Sequence, residues 1–168
     1  MYDNTEKDAL VFQIIKLTEQ ISKRFTDGDD EEKQWMAQKI KNPILRQLLP
    51  NITIMMLHVL EAVGKFGPVN GITISKEMEI PKGTVSKITR KLESLNLIKK
   101  EQLPDNKKEI LFSITPLGYE LFEVHKDLHE HIEKNVIHFL NKYQSNELDF
   151  LTRVLEDILK QSLVQIEE

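Results

Sequence analysis

The chain contains no cysteine, which excludes a disulfide scaffold and a thiolate-built zinc cluster. It also lacks any window near the roughly 18 uninterrupted apolar residues of a membrane span, so no membrane partner is expected. Where a secretory leader would be basic and then apolar, Met1 to Asp8 is polar and acidic, and the expectation is a cytoplasmic protein. No glycine-rich phosphate loop, Gly-x-Ser-x-Gly elbow or His-Glu-x-x-His pair occurs. Nothing therefore brings a nucleophile and a base together, and the chain does not read as an enzyme. What is present is 168 residues, 40% hydrophobic and 30% charged, enough for one or two small domains with a real core.

The net charge of −4 conceals a strong asymmetry. Between Lys82 and Lys108 there are eight bases against three acids, a local net of +5, which leaves −9 for the rest of the chain. A basic island on an acidic chain suits a phosphate-contacting module joined to a scaffold that must not bind nucleic acid elsewhere. A solvated charged face would read the same way on charge alone.

Hydrophobic periodicity supplies the elements. Leu10, Ile14, Leu17, Ile21 and Phe25 form one helical stripe, and Asp27 to Glu32 ends that helix and begins the next. Trp35, Met36 and Ile40 continue a helical pattern that should break at Asn42-Pro43, where proline removes a hydrogen bond. Trp35, Met36, Met55 and Met56 read as core or pocket lining. Asn51 is the expected cap of a helix from Ile52 to Lys65. Beyond Gly67-Pro68, a short strand at Ile72-Thr73, a short helix over Ile74 to Glu79 and a longer helix from Pro81 to Leu95 are expected.

In that last helix Val85, Ile88, Leu92 and Leu95 make the inward stripe, and the opposite face carries Gly83, Ser86, Lys87, Arg90 and Ser94. A small and basic face at a helix N-terminus lets the backbone approach a duplex while longer side chains reach base edges. Two strands follow, Leu97 to Leu103 and Glu109 to Thr115, joined by a turn carrying Lys107 and Lys108. Helix, helix and hairpin in this order make a winged helix-turn-helix. Long helices from Pro116 to Asn141 and from Asn146 onward, capped by Ser145, carry more apolar surface than a winged helix can cover. The fold class is therefore mainly α with a small β-hairpin wing. Residues 51–116 form the winged helix, and 1–50 with 117–168 form a helical dimerisation region, a homodimer being the simplest way to cover it.

The stretch from Ile80 to Gly118 resembles the MarR family of bacterial winged-helix regulators. Its residues are Lys-Gly-Thr-Val-Ser-Lys-Ile-Thr-Arg-Lys-Leu (82–92), Leu-Ile-Lys-Lys (97–100), Leu-Pro-Asp-Asn-Lys-Lys (103–108) and Ile-Thr-Pro-Leu-Gly (114–118). The resemblance implies a homodimeric regulator of transcription, a repressor, on a near-palindromic site in double-stranded DNA. Lys82, Gly83, Thr84, Ser86, Lys87, Arg90, Lys107 and Lys108 would meet that DNA. Relatives usually place an arginine at the wing tip, where this chain has lysines, which neutralise phosphate but lack the planar fork. Pro81 stands where relatives commonly have a capping serine.

The resemblance also implies an effector held between the dimerisation helices and the winged helix. His125 and His129 lie at i and i+4 on one helix, a spacing that chelates a single ion. With His58 they are similar to the histidine set of zinc-responsive members, in which a glutamate completes the site. Asp29, Asp30, Glu31 and Glu32 are the acids that could supply it. An organic ligand would use the same histidines as hydrogen-bonding groups. His131 and His138 read as solvated surface. The alternatives are a zinc-responsive metal sensor and a protein-interaction module that borrows the winged fold without binding DNA.

Overall fold

The computed structural model describes residues 4–27, 29–103 and 106–161. The elements run α1 (Asn4–Asp27), α2 (Asp29–Lys39), α3 (Pro43–Leu48), a 3₁₀ turn (Leu49–Asn51), α4 (Ile54–Phe66), β1 (Val69–Asn70), α5 (Gly71–Glu77), α6 (Lys82–Ser94), β2 (Ile98–Leu103), β3 (Asn106–Ile114), α7 (Pro116–Leu140) and α8 (Ser145–Lys160). The mainly helical class with a small hairpin wing is thus observed. The wing is broader than a hairpin, since β1 pairs with β3 and the antiparallel sheet has the order β1-β3-β2.

The break at Asn42-Pro43 is present, and Asn42 caps α3 by accepting from the Ile44 N–H at 3.0 Å. Other boundaries moved, each for a local reason. Asn51 does not cap α4, because Leu49–Asn51 winds into a 3₁₀ turn and Ile52, fully buried, stays extended. The cap is Thr53, whose hydroxyl accepts from the Met56 N–H at 3.2 Å. Ile72-Thr73 is not a strand. The Asn70 side chain accepts from the Thr73 N–H at 2.8 Å, so helix α5 begins at Gly71 and the strand lies at Val69–Asn70. Pro81 precedes the first turn of α6 rather than occupying it. Gln144, not Ser145, caps α8, its N–H donating to Glu147 Oε2 at 2.7 Å in a capping box.

The chain divides into two units, Met1–Leu128 and His129–Glu168, with the division falling inside α7. In the first unit one cluster holds Met36, Ile40, Leu45 and Leu49 from before the winged helix, together with Leu60, Ile74, Leu92 and Leu121. The segment ahead of α4 is therefore part of the same core. Each such side chain contributes about 1.5–3 kcal/mol on removal from water. Met56 belongs to this core and Trp35 packs against it, whereas Met55 is exposed. α1 behaves differently: Leu10, Ile14, Leu17 and Ile21 of its apolar stripe are exposed, and the side chain of Phe25 lies outside the described residues. In the second unit α8 has no buried residue, and Phe150, Leu151, Leu155 and Leu159 face solvent.

At the start of α7, Thr115 Oγ1 donates to the Asn96 carbonyl at 2.7 Å and accepts from the Gly118 N–H at 3.0 Å. Gly118 sits so near β2's entry that a Cβ would lie 1.9 Å from the Leu97 carbonyl oxygen. Gly118→Ala is expected to destabilise the fold by about 3 kcal/mol, read by urea denaturation, through overpacking against backbone. A loss under about 1 kcal/mol would mean that α7 can shift away from Leu97 without cost.

Candidate functional site

Two groups of residues stand out, the outer face of α6 and a histidine cluster between α4 and α7. On α6, Val85, Thr89 and Leu92 are buried, and Ile88 and Leu95 are half-buried. That fixes the opposite face. Lys82, Gly83, Lys87, Arg90 and Ser94 are exposed on it, and Thr84 and Ser86 are half-buried at its edge. Arg90 Nη2 donates to Ser86 Oγ at 2.9 Å, which holds the guanidinium along the helix. All the α6 residues expected to meet DNA thus stand at its outer face or edge.

Gly83 is informative because the fold does not require it. Its φ is not positive, and a Cβ placed there would meet nothing within 4 Å. Glycine in a helix costs about 0.5–1 kcal/mol relative to alanine, so its presence here suits an approach from outside the chain.

The basic island is not uniform. Lys100 pairs with Glu93 at 2.5 Å and Lys99 with Glu101 at 2.7 Å. The hydrogen bond from the Lys99 ammonium holds the Glu101 carboxyl below its usual range. These two lysines are committed within the protein, whereas Lys82, Lys87, Arg90 and Lys91 present exposed charge. Lys107 and Lys108 open strand β3 rather than forming a turn, and their side chains lie outside the described residues. The wing is tied to the α5 cap by Asn70, whose Nδ2 donates to Glu109 Oε1 at 2.5 Å. Between α6 and β3 this leaves a groove of about 520 Å³ lined by Asn70, Ile72, Lys82, Ser86, Glu109 and Ile110.

His58 on α4 and His125 on α7 face each other with ring centroids 5.5 Å apart, and His125 is only 1% exposed. His129 continues the helical turn that begins at His125. Nitrogens of His58, His125 and His129 all lie within 4.8 Å of one another. The spacing pair His125 and His129 and the His58 that the resemblance added are thus brought together, while His131 and His138 are exposed. Of the acids proposed to complete the set, Glu31 and Glu32 are absent from the cluster, and the side chains of Asp29 and Asp30 lie outside the described residues. Glu61 reaches it instead, its Oε2 standing 3.4 Å from His125 Nδ1. The available signal was spacing, because Glu61 follows His58 by three residues on α4. His58 and Glu61 also line a groove of about 420 Å³ with Met55, Phe66, Met78 and Ile80.

Residues 52–110 match the MarR family. Over 108 residues the chain is 36% identical to the HTH-type transcriptional regulator YhjH of Bacillus subtilis (strain 168), covering 64% of this chain and 62% of that protein. Over 102 residues it is 33% identical to the HTH-type transcriptional regulator PchR of the same organism, covering 61% and 60%. The match therefore spans about three-fifths of these relatives' length. In fold the chain is similar to Streptococcus pneumoniae FabT in complex with DNA, with a TM-score of 0.65 at 18% identity over 88% of this chain and 95% of that one. It is also similar to Lactococcus lactis ZitR, a zinc-responsive MarR family member, with a TM-score of 0.59 at 19% identity over 65% and 75%. Among the described residues no helix is long and apolar enough to cross a membrane.

Proposed function

We propose that the chain, whose residues 52–110 match the MarR family, is a transcriptional regulator of that family, a sequence-specific DNA-binding repressor acting as a homodimer. The observation that carries this reading is the outer face of α6, where glycine, short hydroxyls and exposed bases share one side of a helix whose other side is buried. Thr84, Ser86 and the backbone at Gly83 would position the helix on phosphates. Arg90 is long enough and planar enough to read a base edge in the major groove. Lys82, Lys87, Lys107 and Lys108 would add phosphate contacts.

The homodimer is supported by α1 and α8, whose apolar faces are uncovered in the single chain. A second copy would cover them and place two α6 helices on successive major grooves of a near-palindromic operator, about one helical turn apart. The effector reading favoured by the geometry is a divalent metal such as zinc. Three imidazole nitrogens within 4.8 Å of one another fit a borderline-soft cation. His58, His125 and His129 would hold it. The ion would supply a bond between α4 and α7, and would shift DNA affinity to the extent that it prefers one arrangement of those helices.

Several variants separate these readings. Arg90→Ala should weaken binding to the specific site by about 1–3 kcal/mol and relax preference at one base position, while an equal loss on random DNA would make it a phosphate contact. Gly83→Ala should raise stability to urea by about 0.5–1 kcal/mol yet lower DNA affinity in fluorescence anisotropy, because the added methyl meets only the incoming duplex. Unchanged affinity would show that the first turn of α6 stays clear of DNA. Replacing Lys107 and Lys108 should weaken binding on all sequences and flatten its salt dependence. A protein-interaction module would show no steep salt dependence at all. Finally, adding zinc after a chelator should tighten binding to promoter DNA, and His125→Ala and His129→Ala should each abolish that gain. Tight binding indifferent to both chelator and zinc would point to an organic effector instead.

A further inference from the structure

The histidine cluster has a carboxylate behind it that sequence spacing did not assign. On α4, Glu61 lies three residues after His58, so the two side chains share one side of that helix. His125 from α7 meets them with its Nδ1 turned to Glu61, 3.4 Å from Oε2. The other carboxylate oxygen, Oε1, is 2.5 Å from Lys65 Nζ, which anchors the carboxylate from the solvent side. Among the described residues the mutually close set contains the three histidines and no carboxylate. Glu61 therefore stands behind one donor rather than among them.

A neutral imidazole carries its single proton on one nitrogen, and which one is decided by the partner each nitrogen faces. A carboxylate beside Nδ1 draws the proton there and leaves the Nε2 lone pair free to bind a metal. At 3.4 Å the pair is longer than an ideal N–H···O bond. It is still close enough, around a ring that is 1% exposed, for the negative charge to favour the tautomer with the proton on Nδ1. A carboxylate in this place also raises the basicity of the ligating nitrogen and fixes the ring orientation.

From this geometry we infer that Glu61 is a positioning residue for the cluster: it fixes His125 as the Nδ1–H tautomer, so that Nε2 is offered to the divalent cation. The inference rests on the metal reading of the cluster, but the tautomer is a property of the metal-free protein and can be measured without the ion.

Two readouts on the full chain test it. Two-bond ¹H–¹⁵N spectra of the metal-free protein report the His125 tautomer. Competition with a chromophoric chelator reports Zn²⁺ affinity, and the visible ligand-field bands of bound Co²⁺ report the donor set. The wild type should show Nδ1–H at His125. Glu61→Ala should lose that preference and bind Zn²⁺ about 10–100-fold more weakly. Glu61→Gln keeps an acceptor, and should preserve the tautomer, the Co²⁺ bands and more of the affinity than Glu61→Ala. Glu61→Ala binding within twofold of wild type with its tautomer unchanged would overturn the inference. So would a Glu61→Gln variant as weak as Glu61→Ala with altered Co²⁺ bands, which would make the carboxylate a ligand. If the wild type binds neither cation while the tautomer follows Glu61, the metal reading fails and the control of His125 by Glu61 stands.

Discussion

The close approach of α7 to the end of the α6–β2 turn is the constraint on which the rest of the molecule depends. Gly118 lies against the Leu97 carbonyl, and Thr115 bonds both the Asn96 carbonyl and the Gly118 N–H. One tight junction therefore sets where α6 ends, where the wing begins and along which line α7 departs. Leu121 and Leu128 then enter the core beside α4, and His125 between them is carried to His58 and Glu61. The outer face of α6 and the contacts of His125 with His58 and Glu61 are thus positioned from the same junction.

Charge is distributed with similar economy. An isolated reading of the sequence counts every lysine between 82 and 108 toward the partner, but Lys99 and Lys100 are bound to Glu101 and Glu93 on the strand and at the end of α6. Exposed ion pairs of this kind contribute little stability. Their effect is to concentrate the outward charge of the described residues on α6 itself. The acids that balance the chain elsewhere then discourage binding by other surfaces.

Much of this was legible in sequence. The stripe of α6, the break at Asn42-Pro43 and the histidine spacing all follow from periodicity and side-chain chemistry, which act over a few residues. What was missed depends on distant partners. Asn51 is as good a cap as Thr53 until Ile52 is seen to be buried in an extended segment. Ile72-Thr73 has strand chemistry, and only the Asn70 side chain bonding back to Thr73 makes it the first turn of a helix. Glu61 shares a helix side with His58 by its spacing of three, but many acids have such spacings, and its meaning comes from the packing of α4 against α7 around His125. The segment ahead of α4 likewise shows a helical pattern but not that Met36 and Ile40 complete the winged helix's core.

The cluster is built from imidazole nitrogens with a carboxylate behind them, in a chain without a single thiol. Thiolate metal sites lose their ions when sulfur is oxidised to sulfenic acid or disulfide, and so report peroxide as well as metal. No donor in this cluster can take that path. A regulator reading metal through it would not lose the ion through thiol oxidation, so peroxide could not mimic metal depletion by that route.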